Sequence, residues 1–249
     1  MKNITVKEFE EKFDVDEGSI LRNNDQFDFY IDDKNCAFWV PKNNNSSKIN
    51  KLDLSFFKNN NHHSNRTLDI GAGIGFSACE LSSISKTIES WEIGTIAFDC
   101  LNANLDNATK TYAKDVTFNR YHIAITDSDM YSTEIVEYEH DFTKNCVKSD
   151  ASFEFSDIDS VKNYSLIKQK TIDSYQFDNI DIINIDTNGY ELKVLQGAKE
   201  TIANCKPFII MSLNESLLSL YGNKIQEINS LLNQLNYTEV SSGIYTSKQ

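Results

Sequence analysis

Residues 67–76 read T-L-D-I-G-A-G-I-G-F. An apolar run ending in an acid passes into three glycines, Gly71, Gly73 and Gly75, each separated from the next by one residue. A strand that enters a glycine turn and continues as a helix is the layout of the doubly wound α/β fold, where glycines let the backbone approach a ligand. A dinucleotide fingerprint requires G-x-G-x-x-G, but here the third glycine comes one residue early and bulky Phe76 stands in its place. No Lys-Ser or Lys-Thr pair follows, so the phosphate-gripping P-loop is absent too. The spacing suits a compact ligand without pyrophosphate, an amino acid joined to a nucleoside. S-adenosyl-L-methionine is a molecule of that kind.

Outward from this loop the pattern is regular. Short apolar runs at 66–70, 87–92, 116–125, 180–186 and 207–213 alternate with segments of helical period, the signature of a mostly parallel sheet covered on both faces. Ile93, Ile96, Ala97, Cys100 and Leu101 form one helical stripe; Val194, Leu195, Ala198 and Ile202 form a second; Ile225, Ile228, Leu231, Leu232 and Leu235 form a third. Segments 237–240 and 243–247, turned at Ser-Gly, predict an antiparallel hairpin at the sheet edge. The fold class expected is therefore a Rossmann-like, doubly wound α/β sheet spanning residues 59–249. Residues 127–170 interrupt the rhythm with a polar insertion rich in Tyr and Asp, placed at the rim where such sheets bind ligands. Its Tyr131, Tyr138 and His140 suit stacking and hydrogen bonding, so it is expected to form part of an acceptor lid.

Residues 1–58 read as a separate small segment: a short helix over 5–13, then a hairpin of F-D-F-Y-I and C-A-F-W-V around D-D-K-N. The Asn-rich stretches at 43–50 and 59–65 read as loops, His62 and His63 included, since adjacent histidines with no third ligand nearby do not make a metal site.

The chain has 249 residues, enough for one α/β domain, and a net charge of -13 from 37 acids and 24 Lys and Arg. That balance repels phosphate backbones and disfavours nucleic acid as a partner. Five scattered cysteines without a CxxC spacing signal neither a disulfide framework nor zinc. The absence of a membrane-length apolar run and the charged start M-K-N-I-T-V-K-E-F-E-E-K lead us to expect a cytoplasmic protein with no membrane association.

Five further positions carry chemistry. Glu92 lies 21 residues after Gly71, at the end of the second strand, where an acid can accept hydrogen bonds from both ribose hydroxyls; an ordinary loop glutamate is the plainer alternative. Asp69, before the turn, is expected to orient the loop. The strand Ile180–Ile185 delivers Asp186 to the crevice side of the sheet, facing the glycine loop. There Asp186 is a candidate general base, although Asp186 and Asn188 also read as caps of the following helix. Glu191, one turn into that helix, is a candidate support. Glu215, after the fifth strand in M-S-L-N-E, is a further acid on the same cleft.

Over residues 66–215 the sequence resembles the FkbM-type methyltransferases. The resemblance rests on L-D-I-G-A-G-I-G, I-G-T-I-A-F-D-C-L-N-A-N-L, H-I-A-I-T-D-S-D, T-I-D-S-Y and, above all, I-N-I-D-T-N-G-Y-E-L-K-V-L-Q-G-A-K. It implies a class I fold, S-adenosyl-L-methionine as methyl donor, and transfer to a hydroxyl of a sugar, polyketide or other small metabolite. It places Asp69, Gly71, Gly73, Gly75, Glu92 and His122 to Ala124 around the cofactor, the last near the adenine, with Asp186 and Glu191 facing the acceptor. Two positions depart from the pattern: Asn184 stands where many members have Lys, and Asn188 where they have Glu.

Missing motifs narrow the chemistry. Only Pro41 and Pro207 exist, so the Asn-Pro-Pro-aromatic signature of amino methylation is absent, and no Pro-Cys supports cytosine methylation. The expected activity is O-methylation of a small molecule or glycan. A ribose 2'-O RNA methyltransferase and a cofactor-binding module without turnover are the alternatives. Oligomeric state has no signal in the sequence.

Overall fold

The computed structural model describes residues 2–4, 27–31, 37–41, 52–138, 145–148 and 161–248. Strands β1 (Lys2–Ile4), β2 (Phe27–Ile31) and β3 (Ala37–Pro41) form a small antiparallel sheet in that order. The β2–β3 pair is the hairpin expected from its two aromatic runs, in register Phe27 to Pro41 and Ile31 to Ala37. The helix expected over 5–13 lies outside the described residues.

Helix α1 (Ser55–Asn59) leads through a loop holding His62 and His63 into β4 (Ser64–Ile70), then α2 (Phe76–Leu81), β5 (Ser85–Trp91), α3 (Thr95–Thr111) and β6 (Thr117–Tyr121). The run 116–125 is not one strand. It divides into β6 and β7 (Ala124–Ile125), which belong to different sheets. The described residues of the insertion form strands β8 (Met130–Tyr138), β9 (Cys146–Val147) and β10 (Val161–Lys170). With β7 they make a four-stranded sheet ordered β7-β10-β8-β9. The first half of β8 is exposed at Met130, Tyr131 and Glu134, while Thr133, Ile135, Val136 and Glu137 are buried.

The chain then returns through β11 (Ile182–Ile185), α4 (Glu191–Gln196), α5 (Lys199–Cys205), β12 (Phe208–Met211), α6 (Glu215–Ser219) and α7 (Ile225–Gln234) to β13 (Tyr237–Ser241) and β14 (Ile244–Ser247). The main sheet has seven strands in the order β13-β14-β12-β11-β4-β5-β6. All are parallel but β14, which runs antiparallel to both β12 and β13. The closing hairpin is as expected, and its second strand, β14, inserts against β12.

The stripe Val194 to Ile202 spans two helices rather than one. They part at Gly197, where a Cβ would stand 1.9 Å from the Thr126 carbonyl oxygen. Two cores flank the sheet. Ile182 packs with α2, α3 and the buried Phe38, Trp39, Val40, Leu54 and Phe57, while Ile183 and Ile185 pack with α4, α5 and α7. Residues 37–41 and 52–57 therefore share a core with the main sheet. Buried Asn104 on α3 fixes that union: its Oδ1 accepts from the Trp39 amide (2.7 Å), and its Nδ2 donates to the carbonyls of Trp39 (3.1 Å) and Ile74 (2.8 Å). Among the described residues, no helix is long and apolar enough to cross a membrane.

Candidate active site

The loop after β4 turns through Gly71, Gly73 and Gly75 at φ of 83°, 55° and 91°, all left-handed, where a side chain strains the backbone. At Gly71 space is a second constraint, since a Cβ there would lie 2.0 Å from the carbonyl oxygen of Asp186. The turn is thus pressed against the end of β11. Its Gly71 and Ala72 amides both donate to the Trp91 carbonyl, at 3.0 and 2.9 Å, which ties it to β5 on the other side.

Glu92, just past β5, is buried, and each carboxylate oxygen accepts a backbone amide: Oε2 from Gly73 (2.8 Å) and Oε1 from Gly94 (2.7 Å). It therefore braces the glycine loop and the start of α3 together. Burial pushes its carboxyl up to about 7 against the lowering by those amides, and Glu137 adds to the rise. Each oxygen keeps an acceptor position beyond the amide it already holds.

Asp69 is fully buried beneath the loop. Its Oδ1 accepts from Asn184 Nδ2 and its Oδ2 from Ser77 Oγ, both at 2.8 Å. Burial pushes it up to about 6, opposed by those two hydrogen bonds and reinforced by Asp186. Asn184, one of the two departures, thus pairs β11 to β4 through the acid that anchors the loop. Asn188, the other, sits at φ 55°, a conformation that Asn tolerates better than most residues.

Asp186 leaves the end of β11 into the cleft. Water reaches its side chain, yet protein flanks it closely enough that desolvation raises the carboxyl to about 6, with Glu191 adding to the rise. Glu191 itself is 2% exposed. Its Oε1 accepts from the amides of Thr187 (3.0 Å) and Gly189 (3.1 Å) and from Thr187 Oγ1 (3.3 Å), so it clamps the turn that presents Asp186. Glu215 is exposed at the first position of α6, while the preceding Asn214 caps that helix by accepting from the Ser216 (3.0 Å) and Leu217 (3.3 Å) amides.

A cleft of about 310 Å³ lies between the glycine loop and Asp186. Its wall includes Gly71, Gly73, Glu92, Ala124 and Asp186 from the sequence-based set; Asp69, Gly75, His122, Glu191 and Glu215 do not reach it. His122 instead stacks on Phe98 (4.9 Å between ring centres), its Nε2 2.9 Å from the Ile93 carbonyl oxygen, and leaves Ile123 and Ala124 to face the cleft. The sequence reading missed Asn145, Cys146 and Val147 from the insertion, and Tyr190, Asn214 and Leu217. The insertion thus meets the cleft through β9, whereas Tyr131 is 93% exposed and His140 lies outside the described residues.

The strand order, the glycine loop after the first strand of the parallel set and the acid after the next define the Rossmann-like methyltransferase class. The family model described as the methyltransferase FkbM domain matches residues 69–239, and the chain belongs to that family. No curated protein matches. Among solved structures the chain is similar to methyltransferase FkbM from Methylobacillus flagellatus KT, at 18% identity and a TM-score of 0.48 over 74% of this chain and 43% of that one. It is also similar to TYW2 of M. jannaschii in complex with AdoMet, at 12% and 0.42 over 89% and 83%. A third likeness is precorrin-6y C5,15-methyltransferase from Geobacter metallireducens GS-15, at 14% and 0.39 over 72% and 67%. The chain spans less than half the length of the first of these.

Proposed function

We propose that this protein transfers a methyl group from S-adenosyl-L-methionine to a hydroxyl of a small molecule or glycan, with Asp186 as the general base. The observation that carries the reading is the placement of Glu92, the glycine loop and Asp186 around one cleft. The chemistry of that wall fits the donor. Among the described lining residues the charged side chains are Glu92 and Asp186, both acids, which suits a cationic ligand and opposes a pyrophosphate. Gly71 and Gly73 would lie along the ligand's backbone-like part, Glu92 would accept from its ribose hydroxyls, and Ile93, Ile123 and Ala124 supply an apolar wall for its base.

When bound, the donor supplies a methyl made electrophilic by a sulfonium. The protein's part is to hold an acceptor oxygen in line with that methyl and to take its proton. An alcohol binds its proton far more tightly than a carboxylate does, so Asp186 would take the proton as the C–O bond forms and the methyl's bond to sulfur breaks. Desolvation makes Asp186 a stronger acceptor than a free aspartate, and the Glu191 clamp fixes its turn. The four described cysteines are free, in keeping with a cytoplasmic setting. Calorimetry with S-adenosylhomocysteine and NAD tests the donor: the first should bind and the second should not. Binding of NAD alone would replace this reading.

A further inference from the structure

A second cavity, about 690 Å³, opens on the other side of Asp186 and shares Ser77, Asp186 and Ser212 with the first cleft. It lies over the ends of β11, β12 and β14 and extends to α7. We infer that this cavity seats the methyl acceptor, and that the acceptor is a hydroxyl compound with one apolar face and no phosphate, sulfate or carboxylate in the pocket. The inference rests on the methyl-transfer reading and specifies its substrate.

Position comes first. A base serving both donor and acceptor has to face both, and Asp186 lines both cavities. Among the described residues, the insertion lines the first cleft through Asn145, Cys146 and Val147, and the second cavity is lined instead by the β14 edge, Ser242 to Tyr245. Charge then narrows the class. Among the described lining residues the charged groups are Asp53, Asp186 and Glu239, with no Lys, Arg or His beside them. A concave wall of one sign focuses its field. An anion placed there would lose its hydration and find no cation among the described lining residues to replace it. One backbone donor on the wall is already taken, because the Gly243 amide donates to Glu239 Oε1 (2.9 Å). The lining brings apolar Ile210, Met211, Ile225 and Ile244 together with the polar groups of Asn229 and Tyr245. That combination matches the ring face and hydroxyl edge of a neutral or amine-bearing polyol.

The test incubates the full chain with methyl-tritiated S-adenosylmethionine and a metabolite extract of the source organism, separates the unreacted donor, and sorts labelled products on an anion exchanger at pH 7. Asn229→Trp, an exposed position on α7 that would fill the cavity, is run beside the wild type. Ser242→Trp, from the turn between β13 and β14, serves as an independent second block. We expect label in the unretained fraction, more than tenfold less of it with each Trp variant, and S-adenosylhomocysteine affinity within twofold throughout. Label retained on the exchanger overturns the charge assignment. Transfer at the wild-type rate by both folded Trp variants overturns the location. No labelled product from any extract, with S-adenosylhomocysteine bound, overturns the methyl-transfer reading and this inference with it.

Discussion

Glu92 has two demands on one carboxylate: it holds the Gly73 and Gly94 amides and, in the function proposed, accepts from a ribose. Glu92→Ala would cut the brace as well as the ligand contact, so Glu92→Gln is the cleaner variant. Loss of a charged acceptor costs ~1.5–3 kcal/mol, and S-adenosylhomocysteine should bind roughly ten- to a hundredfold more weakly by calorimetry. Unchanged affinity in a folded variant removes Glu92 from the ligand site. Gly71→Ala meets both a left-handed φ and the Asp186 carbonyl, and should lose about 2–4 kcal/mol in urea titration; a loss under ~1 kcal/mol would mean that the loop moves freely. Glycine loop, Glu92 and Asp186 were legible because strand ends in a parallel sheet have a known side. Glu191, expected as a support of Asp186, holds the turn before it through the amides of Thr187 and Gly189 and does not reach the cleft. An acid just after T-N-G, a turn rich in free donors, is the signal that points there. Asn145 to Val147 and Asn214 had no local signal, since what brings them to the cleft is the packing of distant segments.

At the scale of elements, Asn104 joins α3, β3 and the glycine loop with three buried hydrogen bonds. Asn104→Leu leaves the Trp39 amide and the Trp39 and Ile74 carbonyls without that partner, so stability should fall by about 3 kcal/mol. Proteolysis should then cut near residues 37–41 before the main sheet unfolds. Equal protection of both would show that apolar packing alone holds β3. Four of the five parallel strands were legible within about two residues because apolar runs bounded by turns have few alternatives. The split at 122–123 was not legible, because both halves are strand-like and only their hydrogen-bonding partners differ. Nor was the break at Gly197, where helical period continues across the kink. The sheet of the insertion was hidden because β8 mixes polar and apolar residues without a period-2 pattern and its partner β10 is distant in sequence.

Over the whole molecule, charge and burial act together. Asp69 and Asp186 are raised to about 6 and Glu92 to about 7, so each binds its proton more tightly folded than unfolded. Their contribution to stability is complete below the ordinary carboxylate range near pH 4 and is lost as pH rises through 6 to 7. The net charge of -13 at pH 7 works in the same direction. The ligand-free protein should therefore melt at a higher temperature at pH 5.5 than at pH 8, and Glu92→Gln should flatten the upper part of that fall. A melting temperature that rises from pH 5.5 to pH 8 would contradict the burial of Asp69 and Glu92. Doubly wound topology was readable from the alternation of elements, whereas the junction of two cavities at one aspartate follows from the strand order and the turn after β11. That junction is the centre of the account, and Asp186→Asn tests it most directly, because the substitution keeps size and capping ability while removing the base. Turnover should fall ~10²- to 10⁴-fold with S-adenosylhomocysteine affinity changed by less than about tenfold. Methyl transfer at the wild-type rate by the folded Asp186→Asn protein would contradict it.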